Sequence, residues 1–81
     1  MKKVAAFIAS GTGIGAGAAI HLSSKGYQVA IMSSSGKGQE LAKKLNGLGY
    51  TGSNLIQENI EKFIDKVIKK YGRLDVLINS A

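Results

Sequence analysis

The chain has 81 residues, a formal net charge of +6, 11 glycines, and neither proline nor cysteine. A chain this short buries only about 60% of the surface its unfolded form exposes, and without cysteine it has no disulfide framework and no thiolate metal site, which the single His21 cannot replace. A hydrophobic share of 44% against 20% charged residues excludes a disordered chain.

Val4-Ala5-Ala6-Phe7-Ile8-Ala9 is an unbroken apolar run of strand length, the pattern of a strand covered on both faces. It is preceded by Lys2 and Lys3 but breaks at Ser10-Gly11, too early for the apolar core of a signal peptide. No later run approaches the roughly 18–20 apolar residues of a membrane span. A cytoplasmic protein without a membrane partner is expected.

Residues 10–17 form a glycine-dense turn, and residues 13–25 a helix of small residues closed by Gly26. Gln28-Val29-Ala30-Ile31-Met32 reads as the second strand. Residues 33–38 follow as a turn in which Ser35 is a candidate helix cap, and residues 39–48 as a helix ending at Gly47 or Gly49. A third strand is placed at residues 52–57 around Leu55-Ile56. Ile60, Phe63, Ile64, Val67, Ile68 and Tyr71 then make a single helical stripe, with Glu58 and Lys62 paired on the wet side and Gly72 as the stop. Asp75-Val76-Leu77-Ile78-Asn79 reads as the fourth strand.

Strands alternating with helices imply an α/β fold with a parallel sheet, and the expected strand order is 3-2-1-4. That order leaves the apolar Val76-Leu77-Ile78 segment as a bare edge. The expectation is that residues 1–81 are the front part of a larger doubly wound α/β protein whose next strand covers this edge. Isolated, they would bind cofactor weakly or not at all and show no turnover.

Gly13-Ile14-Gly15-Ala16-Gly17-Ala18 satisfies G-x-G-x-x-G/A between a strand and a helix. That context permits a tight reversal, close approach of backbone to a pyrophosphate, and close packing of the helix on the sheet. Helix-terminal N–H groups then attract phosphate oxygens. Between Gly26 and Gln39 there is no acidic residue to take a ribose 2′-hydroxyl; Ser33, Ser34, Ser35 and Lys37 stand there instead. NADP(H) is therefore favoured over NAD(H). The charge divides unevenly, +5 over residues 1–49 and +1 over residues 50–81, which suits an anionic partner. The lysines are dispersed and aromatic residues are only 6% of the chain, so a nucleic-acid partner is not expected. Gly36-Lys37-Gly38 lacks the surroundings of a Walker A loop, and no G-x-S-x-G elbow is present.

Ile8-Ala9-Ser10-Gly11-Thr12-Gly13-Ile14-Gly15 resembles the T-G-x-x-x-G-x-G turn of the short-chain dehydrogenase/reductases. Leu74-Asp75-Val76-Leu77-Ile78-Asn79-Ser80-Ala81 resembles that family's D-V-L-V-N-N-A-G segment. Ile8 and Ala9 stand where the family has Thr-Gly, and Ser80 where it has a second Asn. The resemblance spans the chain and implies a Rossmann-type cofactor-binding portion over residues 1–81. It implies an NAD(P)-dependent oxidoreductase moving hydride between nicotinamide and a carbonyl or alcohol substrate, with homo-oligomers common. The implied cofactor-binding residues are Ala9, Ser10, Gly11, Thr12, Gly13, Ile14, Gly15, Ser33, Ser34, Asn54, Leu55, Asn79, Ser80 and Ala81. Tyr27, Tyr50 and Tyr71 are not followed four positions on by lysine, so the family's catalytic Tyr-x-x-x-Lys is expected beyond residue 81. A dinucleotide-binding sensor or scaffold without catalysis is the alternative, motivated by Ala9 and Ser80.

Overall fold

A computed structural model of the chain describes residues 2–8 and 13–79. Their elements run β1 (Val4–Ile8), α1 (Gly13–Ser24), β2 (Gln28–Ser33), α2 (Lys37–Lys44), β3 (Leu48–Thr51), α3 (Gln57–Tyr71) and β4 (Val76–Asn79). The four strands form one parallel sheet in the order β3-β2-β1-β4, the expected topology.

All five residues of β1 are buried because the sheet is covered on both faces. Val4, Ala6 and Ile8, with Ala30 and Met32 of β2, pack against Phe63 and Val67 of α3. Ala5 and Phe7, with Val29 and Ile31, pack against Ala19 of α1 and Ala42 of α2. Successive strand residues thus serve opposite layers. Alanine at positions 18 and 19 lets α1 lie close on the sheet, and the apolar stripe of α3 covers the other face. Its Glu58–Lys62 pair forms at 3.1 Å on the exposed side.

The helix ends follow from local backbone chemistry. Gly26, at φ 92°, ends α1: its N–H donates to the Ser23 carbonyl, and the Tyr27 N–H to the Leu22 carbonyl. The same arrangement ends α2, but with Asn46 in the left-handed position at φ 57°. There the Asn46 N–H donates to Lys43 and the Gly47 N–H to Ala42. Asparagine tolerates this conformation better than other side-chain-bearing residues.

That early stop corrects two expectations. The second helix ends at Lys44 rather than at Gly47 or Gly49, and the third strand is Leu48–Thr51 rather than residues 52–57. Leu48 and Tyr50 join the core on the α3 face. Between them, Gly49 faces α2 so closely that a Cβ there would lie 2.7 Å from the Gln39 Cα. Glycine is the residue that allows this helix onto this strand. Leu55 and Ile56, the expected centre of the strand, lie instead in the turn before α3 and are 89% and 54% exposed.

β4 pairs on one side with β1 and forms a sheet edge among the described residues. Val76 and Ile78 pack on the α1 face, whereas Leu77 is 52% exposed.

Candidate functional site

The site is defined by where the strands end. Ile8, the last residue of β1, is in register with Met32 of β2 on one side and Asn79 of β4 on the other. From β1 the chain steps outward to β2 and β3, then crosses to the opposite side of β1 for β4. The carboxyl ends of β1 and β4 therefore flank the point where the strand order reverses, where open α/β sheets leave a crevice for ligands. α1 opens at Gly13, within five residues of the end of β1, and Gly15 is buried in its first turn.

Ser33 ends β2 at the same edge of the sheet and Ser34 follows it, exposed. The Ser33 hydroxyl turns inward: it donates to the Ser35 carbonyl at 2.6 Å and accepts from the Gly38 N–H at 3.0 Å. The Ser35 hydroxyl is a weaker partner to this helix start, accepting from the Lys37 N–H at 3.4 Å. The Gly52 N–H donates to the Ser33 carbonyl at 2.8 Å, which ties the end of β2 to the chain leaving β3.

Gly13, Ile14, Gly15, Ser33, Ser34 and Asn79 are thus gathered along the carboxyl edge of β1, β2 and β4. Asn54 and Leu55 lie farther along the β3–α3 turn than the sequence placed them, because β3 ends at Thr51. Gly52 and Ser53 are the first residues past that strand. Ala9, Ser10, Gly11, Thr12, Ser80 and Ala81 lie outside the described residues. The sequence reading missed Gly38, whose N–H and missing side chain both serve Ser33; its only visible signal was a Gly36-Lys37-Gly38 triplet matching no phosphate loop. Among the described residues, no group of three or more His, Cys, Asp or Glu side chains is placed to hold a metal ion. None of their helices is long and apolar enough to cross a membrane.

The family model for short chain dehydrogenases matches residues 3–81. The chain belongs to the short-chain dehydrogenase family. Among curated proteins it is 31% identical over 83 residues to an uncharacterized oxidoreductase of Thermotoga maritima, covering 98% of this chain and 33% of that protein. It is 33% identical over 86 residues to a hydroxynaphthalene reductase of Aspergillus fumigatus, covering 98% and 32%. The chain therefore spans about a third of the length of these relatives.

Among solved structures, an ElxO variant with NADPH bound superposes with a TM-score of 0.86 at 31% identity, over 100% of this short-chain dehydrogenase chain and 35% of the other. A 3-ketoacyl-(acyl-carrier-protein) reductase of Brucella melitensis complexed with NADH superposes with a TM-score of 0.87 over 93% and 32%. At 22% identity, that likeness concerns the fold alone.

Proposed function

We propose that residues 1–81 form the N-terminal dinucleotide-binding portion of a single Rossmann domain in an NAD(P)-dependent oxidoreductase. The observation that carries this is the position of α1: a glycine-opened helix beginning at the switch point of a β3-β2-β1-β4 parallel sheet. Gly13 and Gly15 let backbone approach a pyrophosphate, and the first N–H groups of α1 favour its charge. Asn79 borders the crevice from β4, and Ala9, Ser10, Gly11, Thr12, Ser80 and Ala81 are assigned to cofactor binding by the family resemblance.

The donor set at the end of β2 fits a phosphorylated ribose. Ser34, Ser35 and Lys37 are exposed there, and Glu40 is the first carboxylate after Gly26. Hydroxyls and an ammonium satisfy a 2′-phosphate, whereas the 2′-hydroxyl of NAD(H) finds no carboxylate. NADP(H) is accordingly the preferred cofactor. Asn54 and Leu55, with Gly52 and Ser53 before them, are assigned to the adenine side.

Such a cofactor supplies hydride transfer to or from a carbonyl carbon. No Tyr-x-x-x-Lys pair occurs in residues 1–81, so the group that exchanges a proton with the substrate oxygen is assigned to residues outside them. A small carbonyl or alcohol substrate, a cytoplasmic location and a homo-oligomeric assembly belong to the same proposal. The test is steady-state NADPH consumption by the full-length protein with a panel of ketones and aldehydes. Turnover with at least one carbonyl is expected. Tight NADPH binding without turnover on any panel member would favour a sensor or scaffold, the reading that Ala9 and Ser80 motivate.

A further inference from the structure

Ser33 stands beside the proposed ribose site but is only 5% exposed. Alternation along β2 explains its direction. Val29 and Ile31 face the α1–α2 layer, and Ser33, two residues on, continues that face beneath the first turn of α2. Gly38 provides the room, since a Cβ there would lie 2.5 Å from the Ser33 Oγ and 3.2 Å from the Ile31 Cγ2. The hydroxyl has one proton, which goes to the Ser35 carbonyl, and one of its lone pairs takes the Gly38 N–H. The carbonyl of the same residue holds Gly52. One residue thereby fastens the end of β2 to the start of α2 and to the β3–α3 turn, and it retains no proton for a ligand.

We propose that Ser33 is a positioning residue for cofactor choice: its inward hydroxyl fixes the turn of residues 34–37 in the geometry that prefers a 2′-phosphate to a 2′-hydroxyl. This rests on the dinucleotide reading above. The turn carries the groups that meet the phosphate, Ser34, Ser35 and Lys37, and all three are exposed. Pinning it beforehand spares the ordering entropy that a loose turn would lose on binding. Removing the hydroxyl also leaves the buried Gly38 N–H without its acceptor, which the turn must rearrange to satisfy.

The experiment uses Ser33→Ala and Gly38→Ala in the full-length protein, with two readouts. Amide hydrogen exchange is followed without cofactor, and NADPH and NADH affinities are measured separately by fluorescence titration. Ser33→Ala is expected to speed exchange across residues 34–38 and to weaken NADPH binding about tenfold, with NADH changing less than about twofold. Gly38→Ala crowds the same hydroxyl from the buried side of the turn and is expected to shift the NADPH-to-NADH ratio in the same direction. Weaker NADPH binding with unchanged exchange would make Ser33 a direct ligand and overturn the proposal. Equal losses for both cofactors would leave it a purely structural residue. Normal binding by the unaltered protein with an unaltered ratio in the variants overturns this proposal alone. Failure of the unaltered protein to bind either cofactor overturns the dinucleotide reading and this proposal with it.

Discussion

The Asp75 carboxylate accepts a hydrogen bond from the Val4 N–H at 2.8 Å, and the Asp75 N–H donates to the Val4 carbonyl at 2.9 Å. A side chain and a backbone amide together close the amino end of the β1–β4 pair. Arg73 grips the same carboxylate twice, through Nε at 2.8 Å and an Nη at 2.6 Å. The clamp lies at the opposite end of the sheet from the proposed cofactor site.

Asp75 gives a pH signature. The Arg73 guanidinium foremost, and then the Val4 N–H, hold its carboxyl below the usual 3.8. A carboxyl depressed on folding contributes stability that is fully present above its unfolded value and is lost as pH falls through the folded one. The stability difference between the unaltered protein and Asp75→Asn should therefore stay constant from neutral pH down to about pH 4.5 and shrink below that. Urea unfolding at a series of pH values measures it. A difference that grows on acidification would contradict the clamp.

The same substitution at two glycines should have opposite signs. Gly17 lies exposed within α1, and a Cβ there meets nothing within 4 Å. Gly17→Ala should stabilise by about 0.5–1 kcal/mol, because alanine has less backbone entropy to lose in a helix. Gly49→Ala drives a methyl against the Gln39 Cα and should cost about 1–3 kcal/mol. Chemical denaturation of the two variants side by side measures both.

Phe63 anchors α3. It is fully buried among Val4, Ala6, Ile8, Ala30 and Met32, and its ring centroid lies 6.1 Å from that of Tyr50. Phe63→Ala should cost about 3–5 kcal/mol, a large share of the stability of a small α/β unit. Loss of the cooperative transition in thermal unfolding would show that α3 had come away. A shift worth under about 1 kcal/mol would show that the α3 layer contributes little.

Leu55 tests the corrected placement of β3. At 89% exposure it has little burial to lose, so Leu55→Ser should change stability by no more than about 0.5 kcal/mol. Were residues 52–57 the third strand, with Leu55 turned into the core, the same change would cost several-fold more. Equilibrium unfolding distinguishes the two.

What could be read from the sequence depended on whether local pattern and packing agreed. The continuous apolar run of β1, the glycine closing α1 and the 3.6-residue stripe of α3 each carry their structural cause in neighbouring residues. β3 does not. Gly47 and Gly49 look like chain breakers, yet a Cβ at either would run into the Val29 carbonyl or the Gln39 backbone, so their cause lies in residues distant along the chain. Asn46, not a glycine, supplies the left-handed stop. The β2 end of the candidate site was legible in composition, as hydroxyls without a carboxylate, but not in its contacts. Alternation carries Ser33 to the α1–α2 face, but the room and the N–H donor its hydroxyl finds there come from Gly38, five residues on and across the start of a helix.

The dinucleotide assignment is tested most directly by equilibrium titration of the full-length protein with NADPH and with NADH, followed by nicotinamide fluorescence and calorimetry. Saturable binding of one equivalent of NADPH per chain is expected, tighter than NADH by about tenfold or more, as when a charge-assisted hydrogen bond is gained. No saturable binding of either nucleotide would contradict the assignment of the α1 start as a pyrophosphate site. Tighter binding of NADH would contradict the role given to Ser34, Ser35 and Lys37.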